Sequence, residues 1–258
     1  MKLEERQMFW IVNGYGRLHT FGLLRGAFSP DVEMTVLRSY WSQRANLVSS
    51  CSMQIHLMQK ALDQMNLHLH KVITEIAEET GMKIIRKIVA GERNPNRLAL
   101  LKHFSVKSSV ETITQALTGN YREEHLFSLK QALEMYDIYQ EKIKECDEQT
   151  VNYMLKFKNK AEMKDLPEFK PKKRRRNEPY FDLKKELFRI TGVDLTSIDG
   201  INTLTAQTII SEIGLDMKKF PTEKHFSSWL GLSPNNQITG GKIKKRKTKK
   251  VYNRVTKQ

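Results

Sequence analysis

The sequence predicts a mainly α-helical protein, in which a long antiparallel coiled-coil hairpin is followed by a small helical domain. Apolar residues alternate spacings of three and four in two long stretches of the chain, which is the pattern of a coiled-coil seam. The last third of the chain differs in composition, with a turn typical of a helix-hairpin-helix element and a strongly basic end.

The first long helix is predicted from about Asp31 to Thr80. Pro30 and Asp31 are typical of a helix start, and Gly81 is typical of a helix end. About 50 residues at 1.5 Å per residue would form a rod of roughly 75 Å, which must bury its apolar seam against a partner. The seam residues are Met34, Leu37, Trp41, Val48, Cys51, Ile55, Met58, Leu62, Met65, Leu69, Val72 and Ile76.

The second helical stretch is predicted from Glu123 to about Lys158. It could fold back antiparallel on the first helix or pair with another protomer, so we expect a homo-oligomer formed through the coiled coil. Turn signals at Asn94-Pro95-Asn96 and at Gly119-Asn120 flank shorter helices between the two stretches. The apolar residues of the second stretch are Leu126, Leu129, Leu133, Tyr136 and Ile143.

The charge of the chain favours a polyanionic partner. The 258 residues include 39% hydrophobic and 28% charged ones, which is typical of a folded protein rather than a disordered or membrane-embedded one. A net charge of +15 favours nucleic acid, because each phosphate that Lys or Arg neutralises releases condensed counterions. A ribosome-associated or merely basic protein would have the same composition.

The cysteines and histidines do not predict a metal site. Cys51 and Cys146 are the only cysteines, so neither a disulfide framework nor a zinc cluster is expected, and a reducing cytoplasm fits. His68 and His70 are expected on different faces of the first helix. The apolar run from Met8 to Val12 is too short for a secretion signal or a membrane span. We therefore expect a cytoplasmic protein without a membrane partner.

Residues 161–179 form a predicted linker with three prolines and a basic run. The run has three interpretations: a nuclear import signal in a eukaryote, a charged segment exposed to water, and a clamp on a nucleic-acid backbone. A second basic block near residue 250 favours the clamp. The candidate nucleic-acid-binding residues of the linker are Lys172, Lys173, Arg174, Arg175 and Arg176.

The segment from residue 180 to residue 258 is a predicted small domain that binds nucleic acid. Ile198 to Ala206 is typical of a helix-hairpin-helix turn, in which Gly200 and Asn202 can take positive φ and expose backbone N–H groups to a phosphate. Many helical hairpins have such a turn without contacting DNA. No acid follows Glu223, and the candidate phosphate contacts there are Lys242, Lys244, Lys245, Arg246, Lys247, Lys249 and Lys250.

Several stretches resemble the insertion-sequence one-ten family of transposases, also known as bridge-RNA recombinases. Leu18 to Phe28 resembles the segment that closes the family's RuvC-like nuclease domain, and the heptad region resembles its coiled coil. Thr191 to Gly214, Phe220 to Phe226 and Trp229 to Asn236 resemble its C-terminal transposase domain. The resemblance covers the chain from about residue 18 to its end.

The resemblance implies an RNA-guided, tetrameric recombinase for DNA transposition in the bacterial cytoplasm, associated with the nucleoid. Its partners would be DNA and a guide RNA. In the family, a carboxylate quartet in the RuvC-like half holds Mg²⁺ over the scissile phosphate. A serine in the C-terminal half forms a covalent phosphodiester that preserves the bond energy for rejoining.

This chain departs from the family at the nucleophile. The family serine precedes a glycine pair, whereas Thr239 stands before Gly240 and Gly241 here. Thr239 has the hydroxyl group, but its β-methyl group hinders attack and restricts χ1. Thr239 is therefore the candidate catalytic residue, in place of the serine.

The carboxylates that the resemblance implies are missing from this chain. The first two would precede Met1, and the last two, an Asp-x-x-Asp pair, would stand just before Leu18, where residues 8–16 contain no acid. We expect residues 1–30 to be the remnant of a RuvC-like α/β domain that is otherwise missing, and we expect no cofactor in this chain. The C-terminal domain is also expected to be incomplete at Gln258.

The opening residues suggest a hypothesis for this departure. If Glu4 to Tyr15 is back-translated with AT-rich codons and read one base earlier, the same bases can encode Gly-Arg-Lys-Thr-Asp-Val-Leu-Asp-Cys-Gln-Trp-Ile, which resembles the missing motif. Residues 1–16 would then be an out-of-frame reading of a decayed gene.

The expected organisation is a nuclease remnant in residues 1–30, a coiled-coil region in 31–160, a basic linker in 161–179 and an incomplete transposase domain in 180–258. The expected function is insertion-sequence transposition or site-specific recombination by a chain that binds DNA and guide RNA but is catalytically defective. The alternative is a non-catalytic nucleic-acid-binding module or a dominant-negative regulator of an intact transposase. A purely structural coiled-coil protein would explain the heptads but not the acid-free tail.

Overall fold

The protein is mainly helical, as the sequence predicts. In the computed structural model, residues 16–20 are helical and precede eight numbered helices and one two-stranded sheet. The helices are α1 (Val32–Gln64), α2 (Glu79–Val89), α3 (Pro95–Ala99), α4 (Val110–Ala116), α5 (Glu123–Met154), α6 (Leu183–Thr191), α7 (Thr203–Ile213) and α8 (Glu223–Trp229). The strands are β1 (Gln237–Thr239) and β2 (Lys242–Lys245).

The structure describes residues 16–22, 31–161, 174, 176–234, 236–240 and 242–245. The hypothesis about the reading frame concerns residues 1–16, and all of these except Gly16 lie outside the described residues. Within the described residues no α/β layer of the RuvC-like type is found, and no helix is both long and apolar enough to cross a membrane.

Helices α1 and α5 form the predicted antiparallel hairpin. Arg44 of α1 contacts Asp147 of α5, and Cys51 of α1 contacts Gln140. The residue numbers rise along one helix while they fall along the other, so the two helices run in opposite directions. The predicted seam residues Leu37, Met58 and Leu62 are all buried in the hairpin, so the heptad pattern correctly identifies the packed face.

The first helix ends at Gln64, so the prediction of one helix as far as Thr80 was wrong. Asn66 has φ of +60°, and Leu67 N–H donates to the carbonyl of Leu62 at 2.9 Å, while Asn66 N–H donates to Asp63 at 2.9 Å. These are the hydrogen bonds of a Schellman motif with asparagine in the left-handed position. The rod is therefore 33 residues long rather than about 50.

The apolar pattern continues past Gln64 because the following segment is buried without being α-helical, although Leu69–Lys71 forms one turn of 3-10 helix. Leu69 is fully buried and Ile76 is 3% exposed, yet both lie between α1 and α2. Gly81 lies in the first turn of α2 rather than at a helix end. A Cβ atom there would lie 2.2 Å from the carbonyl oxygen of Ile76, so glycine is required for this close approach.

Helices α2, α3 and α4 form a small helical cap over the end of the hairpin. The predicted turn at Asn94 is confirmed, because its side chain accepts from the N–H groups of Asn96 and Arg97 and Pro95 begins α3. His68 N–H donates to the carbonyl of Ala116 at 2.8 Å. The cap, the hairpin end and the segment between them share one hydrophobic core.

Helices α6 and α7 pack at the opposite end of the hairpin, around a second hydrophobic core. Trp41 Nε1 donates to the hydroxyl of Thr208 at 3.3 Å. Arg38 donates to the backbone carbonyls of Ser211 and Glu212, and it also pairs with the Glu212 carboxylate at 3.2 Å. Because the last carbonyls of a helix lack partners within the helix, these contacts fix the end of α7 on α1.

A buried ion pair lies between these two cores. Arg44 Nε donates to Asp147 Oδ1 at 2.5 Å, and the two residues are 4% and 1% exposed. Tyr180 N–H donates to the other oxygen of Asp147 at 3.1 Å, and the Arg44 guanidinium lies 5.2 Å from the Trp41 ring centroid. The pair therefore joins α1, α5 and the segment that leads into α6.

We expect Arg44→Ala to destabilise the protein by about 3–5 kcal/mol, because it leaves the buried Asp147 carboxylate without its charged partner. The measurement is the free energy of unfolding in urea. The control is Arg86→Ala, which removes a second arginine paired with an aspartate of α5, Asp137, but at about half exposure. That loss should be at most about 1 kcal/mol. Equal losses would contradict the assigned role of Arg44.

We expect Leu62→Asp or Leu69→Asp to unfold the end of the helical hairpin that carries the cap. Each variant would place a carboxylate in the hydrophobic core, which should lower the free energy of unfolding by several kcal/mol. Far-ultraviolet circular dichroism would report the lost helicity, and sedimentation would report any change in assembly. The matched control is Leu57→Asp, on the same helix as Leu62 but 43% exposed, which should change the stability by less than about 0.5 kcal/mol. Unchanged helicity in both buried variants would overturn the assigned core.

Candidate nucleic-acid interface

Thr239 lies at the tip of a β-hairpin that the sequence analysis did not predict. Strands β1 and β2 pair antiparallel, with Thr239 opposite Lys242 and Ile238 opposite Ile243. Gly240 has φ of +57°, which is the conformation that tight hairpin loops require. Thr239, Gly240 and Lys242 are exposed, so a phosphate can reach the hairpin tip from solvent.

The β-hairpin of β1 and β2 has a recognisable signal in the sequence. Two runs that alternate polar and apolar residues flank Gly240-Gly241, and two such runs separated by a glycine pair are typical of a tight β-hairpin. In the sequence analysis the same glycine pair marks the position of the nucleophile. Both interpretations apply to the same residues, because Gly240, which has positive φ, directly follows Thr239.

The residues present do not fit the magnesium ion that the resemblance implies. No acid follows Glu223 in the chain, and residues 8–16, where the Asp-x-x-Asp pair would stand, contain none. Within the described ranges, no group of three or more His, Cys, Asp and Glu side chains comes together as a metal site. A magnesium site of three or more such side chains beside Thr239 would thus need residues from outside the part of the chain that the structure describes.

The helix-hairpin-helix-like turn is present, with one correction. Gly200 has φ of +85°, as predicted, and a Cβ atom there would meet nothing within 4 Å. Asn202 does not take positive φ: its φ is −87°, and its side chain accepts from the N–H of Thr205 at the start of α7. Asparagine is a preferred N-cap residue, and extended backbone suits that position. One of the N–H groups expected to meet a phosphate is thus already hydrogen-bonded within the chain.

The described part of the basic linker is folded against the hairpin. The Arg174 guanidinium lies 3.9 Å from the centroid of the Tyr180 ring and donates to the carbonyl of Glu178 at 2.7 Å. Arg176 pairs with Glu75, in the segment between α1 and α2. Two of the five candidate residues are therefore engaged within the chain, while Lys172, Lys173 and Arg175 lie outside the described residues.

The basic tail begins on β2 and continues beyond it. Lys242, Lys244 and Lys245 belong to this strand, so their backbones lie in the same two-stranded sheet as Thr239. The other candidates of the tail, Arg246, Lys247, Lys249 and Lys250, lie outside the described residues. The structure therefore brings Thr239 together with the start of the basic block but does not place Gly200 or the linker beside it.

The cysteines and histidines contribute no further chemistry to this site. Burial raises the pKa of the Cys51 thiol and of the Cys146 thiol, which disfavours the reactive thiolate. The prediction that His68 and His70 face different ways was wrong, because neither lies on α1 and both rings approach Asp63, at 3.8 and 3.1 Å. His68 is the N-cap of the short 3-10 helix Leu69–Lys71, and His70 lies in that helix.

Residues 194–258 match the family model described as the Transposase IS116/IS110/IS902 family. This match confirms the resemblance for the segment that contains α7, α8, the β-hairpin and Thr239, and it supports an insertion-sequence transposase role. Neither the curated proteins nor the solved structures include a significant match to the chain.

Proposed function

We propose that this chain binds DNA and a guide RNA as a transposase-derived protein of an insertion sequence, and that it does not cleave DNA by itself. The observation that carries the proposal is the family match over residues 194–258, which covers Thr239 and the whole basic tail. Transposases of any mechanism must hold DNA, and a tail without acids is suited to phosphates.

The charge distribution supports DNA binding by the C-terminal segment. From Lys224 to the end of the chain all charged side chains are basic, so nothing there repels a phosphate backbone. The sheet of β1 and β2 fixes the start of this block, and Arg38 and Trp41 anchor the preceding helix α7 on the hairpin. An anchored domain loses less conformational entropy when it binds than a free segment would.

The absence of catalysis is proposed from the surroundings of Thr239. In a strand-transfer step, the threonine oxygen would form a bond to phosphorus, the bond from phosphorus to a sugar oxygen would break, and that oxygen would take up the threonine proton. Such a hydroxyl needs activation by a base or a metal. No Asp or Glu follows Glu223, so no residue near Thr239 in the sequence can supply a carboxylate as the base.

A regulatory role is the second candidate function. The long hairpin of α1 and α5 leaves Phe127, Met135 and Ile138 exposed at spacings of eight and three on α5, which is a stripe on one helical face. A chain that keeps the family's helical and DNA-binding parts could join an intact transposase and block its assembly. We propose that homo-oligomerisation and this mixed assembly would use the same hairpin.

We expect DNA binding to depend strongly on salt through the tail. Replacing its seven candidate cations by glutamine should flatten the slope of log K against log salt by roughly 3 units, if about half of them contact phosphates. Fluorescence anisotropy with duplex DNA at several salt concentrations measures this slope. The residues replaced are Lys242, Lys244, Lys245, Arg246, Lys247, Lys249 and Lys250.

A control for non-specific charge effects is the replacement of Lys130, Lys142 and Lys144 by glutamine. These lysines are exposed on α5 and lie in ion pairs with neighbouring glutamates, so the salt slope should stay unchanged. If the tail variant also kept the wild-type slope, the tail would only be solvated and the proposed DNA contact would be wrong.

We expect no covalent adduct between this chain and DNA, and we expect chemistry at Thr239 only when the missing acids are supplied. Fusion to the nuclease half of an intact relative should restore a protein–DNA adduct that survives denaturing gel electrophoresis. Thr239→Ser in the fusion should increase the rate of adduct formation about tenfold, because removal of the β-methyl group would lower the activation free energy of attack by ~1.4 kcal/mol.

Thr239→Ala in the same fusion is the decisive variant. It removes the hydroxyl while it keeps the exposed hairpin position, so no adduct should form. An equal amount of adduct with alanine would show that another group is the nucleophile. Adduct formation by the unfused chain would contradict the proposed lack of catalysis.

A further inference from the structure

Phe104 is the most exposed of the described large apolar side chains, and it lies in the helical cap. It is 90% exposed, and Leu100, four residues earlier, is 73% exposed. Both lie in the helical cap, between α3 and α4. Single exposed apolar residues are normal, but a phenyl ring that is almost completely exposed, with a second exposed apolar residue four positions earlier in the chain, is a candidate interaction site.

The turn that carries Phe104 is rigidly held. His103 N–H donates to the hydroxyl of Thr80 at 3.0 Å, and Thr80 is only 3% exposed. Val106 N–H donates to the His103 carbonyl at 3.1 Å, and the Ser108 hydroxyl donates to the Val72 carbonyl at 2.6 Å. The ring therefore projects from a turn that is tied to the buried part of the cap.

A second ring supports Phe104 on one side. The ring centroids of His103 and Phe104 are 4.1 Å apart, at an interplanar angle of 41°. The His103 ring is itself fixed, because its Nδ1 lies 2.7 Å from the Ser105 hydroxyl and accepts from Ser105 N–H at 3.3 Å. Since Phe104 is 90% exposed, its remaining surface is open for a flat partner.

The charges around this turn favour an anionic partner. From Arg93 to Val110 the chain contains four Lys or Arg residues and no acid. Lys107 is exposed three residues after Phe104. Arg97 is 73% exposed and pairs at 3.6 Å with Glu92, whose side chain is 26% exposed, and an ion pair with one largely exposed member contributes little. These two cations can therefore contact phosphates without losing strong interactions.

We propose that the turn around Phe104 is a binding site for single-stranded nucleic acid. A base would stack on the open face of Phe104, and Lys107 and Arg97 would contact the flanking phosphates. Exposed aromatic rings with adjacent cations are the elements that hold single strands without reading their sequence. Duplex DNA cannot use this site, because its bases are already stacked. The site is separate from the hairpin of Thr239 and extends the proposed function.

The test uses the full chain and replaces Phe104 by leucine and by tryptophan. Fluorescence anisotropy measures the affinity of the chain for three labelled probes: oligo-dT of about 20 nucleotides, oligo-U of about 20 nucleotides and a DNA duplex of about 20 base pairs. Phe104→Leu keeps the apolar volume but removes the aromatic face, so the affinity for single strands should fall about tenfold. Phe104→Trp should keep it, and the duplex affinity should change less than about twofold.

Two further variants sharpen the result. Lys107→Gln should flatten the single-strand salt slope by about 0.7. Phe21→Leu is the matched control, because Phe21 is also an exposed phenylalanine, at 74%, but lies outside the cap, so it should leave every affinity unchanged. Unequal losses for oligo-dT and oligo-U would identify DNA or RNA as the preferred strand, and either would support the site.

Several outcomes would overturn the site. Single-strand binding that is unchanged in Phe104→Leu would do so, as would an equal fall in duplex binding or in Phe21→Leu. Binding to vesicles with 30% phosphatidylserine that depends on Phe104 would show a membrane contact instead, and a Phe104-dependent change in sedimentation would show a contact between protein chains. A chain that binds single strands through Phe104 but no duplex would contradict only the proposed DNA binding of the tail.

Discussion

The architecture depends on the buried ion pair between Arg44 and Asp147. Both charges are almost completely removed from water, and each is satisfied by more than its partner: Tyr180 N–H donates to Asp147, and the Trp41 ring lies beside the Arg44 guanidinium. A buried pair of this kind adds less to stability than it costs when broken. Its contribution is geometric, because it links α1, α5 and the segment that leads into α6 at one point.

The helical hairpin could be predicted because heptad spacing is a local property of the sequence. Most of the residues that alternate spacings of three and four are buried in the structure, and Val48, Val72 and Leu126 are partly buried. The same rule failed at the end of α1, since spacing predicts which residues are buried but not whether they are helical. Asn66 in the left-handed conformation ends the helix. Leu69 and Ile76 are buried in the segment that follows, so the apolar spacing continues beyond the end of the helix.

The contacts that position the candidate site could not be predicted in the same way. The apolar pattern predicts Trp41 only as a seam residue and predicts no role for Arg38, yet both contact α7 across 167 to 174 residues of sequence. Contacts between residues so far apart in the chain produce no periodic pattern in the sequence. The hairpin at Thr239 had a local signal in its glycine pair, whereas the chemistry expected at Thr239 rests on the family resemblance and not on any geometry around the hydroxyl.

The length of α1 separates the two ends of the molecule by a defined distance. The cap, with Phe104, lies at the Gln64 end, and α7, which precedes the Thr239 hairpin, lies at the end near Arg38. A helix of 33 residues is about 50 Å long at 1.5 Å per residue. Along a B-form duplex this length corresponds to roughly 15 base pairs, at 3.4 Å each. A nucleic acid in contact with both ends of α1 would have to span this length, which is about one and a half turns of a B-form duplex.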